Sequence, residues 1–376
     1  MIRSTEYTNE FNCRKINACR IARSLIKLLC ISILGHYYAA NAQSTVILYG
    51  ILDGSILYTS KTLNSTTHSD AGHQISMSSS GLNSSVFGFR GTEDLGQGLR
   101  AIFDLESGYN ISNGVLASSN GNFFGRQAWV GIAGNFGTVK VGLQYSPFFL
   151  RVVQFDARES SMFGSSLLVY LNNVLVTGCF NSNAISYTSP EIAGFQASGL
   201  LAMGGTAGNF SAGKQESASL IYHLGGLTLG AALYQGNPGG SAASTPVPST
   251  LQFDGRMLGA AYRLDYLTVT ASYVLYKVAQ SFSNQVYSTG VDYKISPFLE
   301  WNAGIWYTRD GNNSTNHSIL GATGLNYFLS KATTVYAQVG VVKNHGALNT
   351  GLANINAFYG VSGTTFGANF GIRHMF

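Results

Sequence analysis

The residues of this chain that could do chemistry are charges set at even spacing. Arg100, Asp104 and Glu106 alternate with Ala101, Phe103 and Leu105. Arg90, Arg126 and Lys140 hold similar places in neighbouring stretches. A spacing of two puts such residues on one face of a strand and their apolar neighbours on the other. A second group, Arg151, Asp156, Arg158 and Glu159, falls in a long connection between strands. Opposed acids and bases across a narrow water path screen permeants by charge and dipole as well as by size. Catalysis has no comparable footing. His68, His73, His223, His317, His345 and His374 are scattered and lack metal-ligand spacing. There is no Gly-x-Ser-x-Gly elbow, no Gly-Lys-Thr phosphate loop and no calcium-loop pattern. The sequence predicts no enzyme, no cofactor and no resident metal.

Composition narrows the class further. Of 376 residues 12% are aromatic and 10% charged, with 45 Gly. A disordered chain would be rich in charge and poor in aromatics. Past the N-terminus no apolar run approaches the ~18–20 residues of a membrane helix. The first 42 residues read as an export signal to be removed. Arg14, Lys15, Arg20, Arg23 and Lys27 precede the apolar run Leu28–Leu34, and Ala40-Asn41-Ala42 supplies the cleavage pattern. Residues 43–376 then form one domain with 16 basic and 15 acidic residues, which predicts no nucleic-acid partner. Cys179 is the one cysteine of that domain, so no internal disulfide is expected.

From residue 44 onward the period is two. Val335, Ala337, Val339 and Val341 alternate with Thr334, Tyr336, Gln338 and Gly340. Connections alternate between tight turns and long polar loops, and aromatics such as Tyr187, Phe195, Tyr222, Tyr327 and Phe328 stand near strand ends. These are marks of an outer-membrane barrel rather than of a soluble sandwich. Counting between breaks predicts sixteen strands. Their centres fall near 50, 88, 104, 129, 141, 186, 199, 220, 231, 261, 272, 290, 304, 324, 338 and 371. Sixteen antiparallel strands close around an aqueous lumen. A charge facing lipid costs up to ~2–4 kcal/mol at mid-depth, so the even-spaced charges are expected to face inward.

Several stretches carry a family resemblance. They include Thr45-Val46-Ile47-Leu48-Tyr49-Gly50, Phe89-Arg90-Gly91-Thr92-Glu93-Asp94-Leu95-Gly96, Phe124-Gly125-Arg126-Gln127-Ala128-Trp129-Val130-Gly131 and the end, Gly371-Ile372-Arg373-His374-Met375-Phe376. In order and spacing they resemble the general porins of β-proteobacteria, of the neisserial and Burkholderia type, across residues 44–376. The resemblance implies a homotrimer in the outer membrane of a Gram-negative bacterium, among its lipid and lipopolysaccharide. It implies passive diffusion of small hydrophilic solutes, and a third loop, roughly 146–182, folded into the lumen as a constriction. The terminal Phe376 is similar to the signal read by the barrel-assembly machinery.

Two departures stand out. Val86 and Phe180 occupy positions where the family commonly has Arg in the basic ladder opposite the loop. The expected consequence is a weaker pull on anions and an apolar stretch of pore wall. A substrate-selective porin is the alternative these residues favour. A surface adhesin or structural barrel is a further alternative, and it would need a blocked lumen.

Overall fold

The computed structural model describes residues 44–240 and 252–376. The predicted export signal, 1–42, lies outside them. Among the described residues the chain begins with β1 (Thr45–Thr59), β2 (Gln74–Ser79), β3 (Val86–Gly96), β4 (Leu99–Gly108), β5 (Gln127–Gly134) and β6 (Gly137–Tyr145). Two helices follow, α1 (Pro147–Gln154) and α2 (Ser166–Val174). Then come β7 (Phe180–Thr188), β8 (Phe195–Ala202), β9 (Gln215–Leu224), β10 (Leu227–Gly236), β11 (Phe253–Leu264) and β12 (Leu267–Val278). The wall continues with β13 (Ser283–Ser296), β14 (Leu299–Asp310), β15 (His317–Phe328) and β16 (Thr333–His345). A small hairpin, β17 (Thr350–Ala353) and β18 (Ala357–Tyr359), precedes the last strand, β19 (Gly363–Met375).

Every predicted strand centre lies in a strand. Neighbours pair antiparallel, and β19 pairs with β1 over Ile51↔Met375 to Thr59↔Gly367, so the sheet closes on itself. One stave is split. β1 pairs with β3 at Thr45–Ile51 and with β2 at Gly54–Thr59, so β2 and β3 together are one strand of a sixteen-stranded barrel. The run Ser80-Gly81-Leu82-Asn83-Ser84-Ser85 that interrupts it leaves the wall for the lumen. Its residue types hydrogen-bond locally rather than along a ladder, and Ser80 takes a left-handed φ of 69°. The buried Asp53 carboxylate of β1 accepts the backbone N–H groups of Gly81, Leu82 and Asn83 at 3.0, 2.9 and 2.7 Å.

The sidedness inverts that of a soluble protein. In β16 the outward residues Ala337, Val339 and Val341 are exposed, while Tyr336, Gln338 and Asn344 are buried inside. Apolar outside and polar inside is the arrangement lipid demands. Closure pairs the backbone groups that an open sheet edge would leave bare in hydrocarbon.

The apolar core lies within the barrel, under the loop that joins β6 to β7. Sequence reading gives that stretch only as a long connection; it contains α1 and α2. Ser146 caps α1 by accepting the N–H of Phe149 at 3.1 Å, with Pro147 at the first helical position. Ser165 caps α2 by accepting from Leu168 at 3.2 Å. α1 buries Phe148, Phe149 and Val152, and Phe148 meets the rings of Tyr234, Phe253 and Tyr276 on the wall. Each fully buried ring of this size contributes ~1.5–3 kcal/mol. Gly230 and Gly255 leave no room for a Cβ where the Phe155 and Phe148 rings press on the wall. Such burial makes the inward fold of a long loop favourable.

Candidate functional site

The lumen is narrowed between this loop and the wall of β1, β3, β4, β5, β6 and β7. On the wall stands a ladder of coupled charges. Arg90 and Asp104 are cross-strand partners, as are Gly88 and Glu106. The Tyr49 hydroxyl donates to Asp104 Oδ1 at 2.7 Å and lies 3.1 Å from Glu106 Oε2. Arg126 Nε donates to Glu106 Oε1 at 2.7 Å, Nη1 to the Ser118 carbonyl and Nη2 to the Tyr145 hydroxyl, both at 3.0 Å. The Arg90 guanidinium lies 4.9 Å from the Tyr49 ring centre, and Lys140 Nζ lies 4.0 Å from that of Trp129. Arg100 is exposed, opposite Asp94 near a tight turn. Arg90, Asp104, Glu106, Arg126 and Lys140 thus stand close together on the wall. Glu106 compensates Arg126 directly.

Val86 and Phe180 are 3% and 4% exposed. The Phe180 ring sits 5.7 Å from the Arg126 guanidinium and stacks at a tilt on Tyr145, 5.6 Å away. The stretch of wall next to Arg126 is therefore apolar.

The loop charges depart from the expected row of acids facing the water. Asp156 is 7% exposed. Its carboxylate accepts from the N–H of Ser160 at 2.7 Å and from the N–H and hydroxyl of Ser166 at 3.1 and 3.0 Å. It thereby holds a tight bend in which Glu159 and Ser160 both take left-handed φ, 50° and 59°. Arg158 is 1% exposed and turns away from the water into the wall. It donates to Asn302 Oδ1 at 3.0 Å, to the carbonyls of Phe163 and Gly164 at 2.8 Å, and to Gln338 Oε1 at 2.5 Å. Burial pushes the Asp156 carboxyl up and the Arg158 guanidinium down to about 10. Both charges serve anchorage because their partners are buried protein groups. Arg151 is partly buried and donates to Gln154 Oε1.

Three further hydrogen bonds tie the tip, and one joins Gln338 of the wall to the split stave. Gln338 Nε2 donates to the Gly81 carbonyl at 3.0 Å, and Met162 N–H to the Leu82 carbonyl at 3.0 Å. Gly164 N–H donates to the Leu352 carbonyl and Asn354 N–H to the Met162 carbonyl, both at 2.9 Å. Asp53, Arg158 and Gln338 form one network joining the split stave, the loop and the wall. Sequence reading misses Asp53 and Gln338 as members, since alternation gives only their inward direction.

Glu159 alone of the loop acids reaches lumenal water. It borders a recess of about 390 Å³ shared with Arg263, Asp292 and Lys294. The carboxylate oxygens of Glu159, Asp292 and Glu300 lie within 4.8 Å of one another, a set of hard ligands able to hold a divalent cation. Protein surrounds Glu159 on most sides although its tip is wet. This desolvation and the nearby Glu300 push its carboxyl up, against Lys294 and Arg373. A raised carboxyl pKa means that its stabilising contribution is full below the ordinary carboxylate range and is lost as pH rises through the raised value. Acidification neutralises Glu159 before an ordinary carboxylate. The reversal potential in a salt gradient is expected to shift toward anions on acidification, and Glu159→Gln to flatten that step. Equal pH profiles for variant and native chain would assign the step to another group.

Comparison with known proteins places this geometry. Residues 38–347 match a family model described as Gram-negative porin. Outer membrane porin protein 32 of Delftia acidovorans is 28% identical over 369 residues, spanning 93% of this chain and 99% of that protein. The anion-selective porin from Comamonas acidovorans has a TM-score of 0.76 at 24% identity, covering 89% of this chain and 100% of that one. The trimer form of OmpT from Vibrio cholerae has a TM-score of 0.64 at 15% identity, covering 89% and 99%. A closed sixteen-stranded barrel, charged within and narrowed by an inward loop, together with a family match over most of the chain, leads to one assignment: this chain belongs to the Gram-negative porin family, outer-membrane channels for passive diffusion.

Proposed function

We propose that the protein is a homotrimeric general-diffusion porin without catalytic activity, whose eyelet lies between loop 146–182 and the ladder Arg90, Asp104, Glu106, Arg126 and Lys140. The observation that carries this reading is the loop anchored inside the barrel by Arg158. A loop held against the inner wall narrows the water path. The trimer form of OmpT from Vibrio cholerae, which shares this fold, supports the assembly. With Arg126 matched to Glu106, and with Val86 and Phe180 apolar, the eyelet holds fewer free cations than a full basic ladder would. Its anion preference is correspondingly weak.

Liposome swelling with sugars of increasing size tests this reading. Rates should fall smoothly with solute mass, and native electrophoresis should give a trimer. A barrel that admits no sugar, or only one, would overturn it.

Phe376 supports assembly in this account. Its backbone exchanges hydrogen bonds with Gly50, N–H to carbonyl at 3.1 Å and carbonyl from N–H at 3.0 Å, and its ring is half exposed. Phe376→Ser keeps the backbone pair. It should refold in detergent as the native chain does, while outer-membrane yield in cells drops several-fold. Equal yields would remove the assembly role.

A further inference from the structure

Beside the charge ladder lies a cavity of about 230 Å³ that the diffusion reading does not use. Leu167 and Leu171 of α2 and the adjoining Leu175 and Val176 form one side. Phe180 of the wall and Phe358 of the β17–β18 segment also line it. It is reachable from the lumen, because Leu175 is 39% exposed and Leu171 and Val176 are partly so. An apolar cavity of ~150 Å³ holds a benzene ring. This one is larger by about a short substituent, and flanking rings at Phe180 and Phe358 favour an aromatic guest.

Two polar groups define the rest of the ligand. Ser84, on the segment that interrupts the split stave, lines the cavity at 6% exposure, and its hydroxyl has no hydrogen-bond partner among the described residues. Such orphaned hydroxyls are rare and costly unless a water or ligand meets them. Arg126 also lines the cavity, but its charge is matched by Glu106 at 2.7 Å. A carboxylate entering here would lose water without gaining an unmatched cation.

We propose that this cavity is a subsite beside the permeation path for uncharged single-ring aromatic solutes bearing one hydroxyl, the ring between α2 and Phe180 and the hydroxyl on Ser84. The proposal rests on the porin reading and deepens it. Occupancy is brief and weak, as transport requires, since a solute held tightly would not leave.

The test is single-channel recording with benzyl alcohol, benzoate and erythritol added in turn. Benzyl alcohol should cause saturable current reduction, and the other two should cause none at equal concentration. Phe180→Arg fills the cavity with a charge and should raise the half-blocking concentration tenfold or more; its own open-channel current reports that it folds. Ser84→Ala should raise it about threefold. Block by benzoate alone, or block unchanged in Phe180→Arg, would overturn the subsite. Normal channels without block would also overturn it and leave the porin reading standing. No channels at all would fell the porin reading itself, and the subsite with it.

Discussion

Single channels of Arg158→Ala are expected to flicker between the native level and larger ones, and the folded barrel to melt at lower temperature. The argument follows from what Arg158 holds. Four acceptors, Asn302 Oδ1, Gln338 Oε1 and two loop carbonyls, converge on one buried guanidinium. Truncation leaves them bare in a dry site and removes the cation beside the buried Asp156. Breaking a buried charged arrangement by removing one partner costs about 3–5 kcal/mol. The loss falls on the tip, 156–164, because α1 keeps its separate aromatic anchorage at Phe148. A freed tip widens the path intermittently, so noise rises along with mean conductance. Arg158→Lys keeps the charge but lacks the planar fork, and should fall between the two. A quiet Arg158→Ala channel of native melting temperature would show that the aromatic contacts suffice.

Glu106→Gln should turn the channel strongly toward anions. The native pair cancels at close range, so Arg126 contributes little to the field along the path. Neutralising Glu106 leaves a net positive charge beside the water. At ~5 Å in water-like dielectric a unit charge is worth ~0.8 kcal/mol to a monovalent ion. The effect is of opposite sign for cation and anion, so the permeability ratio should move by about tenfold. Dilute salt displays it best, because at ~1 M the screening length shrinks to ~3 Å. Gln keeps one oxygen to accept from Arg126 and the Tyr145 hydroxyl, while its NH2 faces the Tyr49 oxygen, whose hydroxyl still donates to Asp104, so the geometry survives. An unchanged reversal potential would place the selectivity-setting charges elsewhere, with the Glu159 recess the next candidate.

The barrel was legible in the sequence because period-two alternation fixes strand faces, and the spacing of turns fixes strand number. The same rule placed Arg90, Arg100, Asp104, Glu106 and Lys140 on one face. What alternation cannot give is the partner on the neighbouring strand or segment. Arg126 finds Glu106, and Asp53 finds an interrupted stave whose Ser, Gly and Asn look like ordinary loop composition. The third loop was hardest to read. Ser146-Pro147 and Ser165 are helix-start signals, yet two short helices embedded in a connection show no long period to flag them. Asp156 and Arg158 look like solvated loop charges until the loop is packed. Only the wall residues Asn302 and Gln338, more than a hundred positions away in the chain, make Arg158 a buried tether.

The most direct test of the central claim is single-channel recording of purified, refolded protein in a planar bilayer across a salt gradient. An open channel narrowed by an anchored loop predicts large stepwise openings, in threes for a trimer. Its reversal potential should lie close to zero, reflecting the matched Arg126–Glu106 pair and the apolar Val86 and Phe180. Folded barrel that conducts nothing would contradict the channel reading. Conducting barrel with strong anion selectivity would contradict the account of the eyelet.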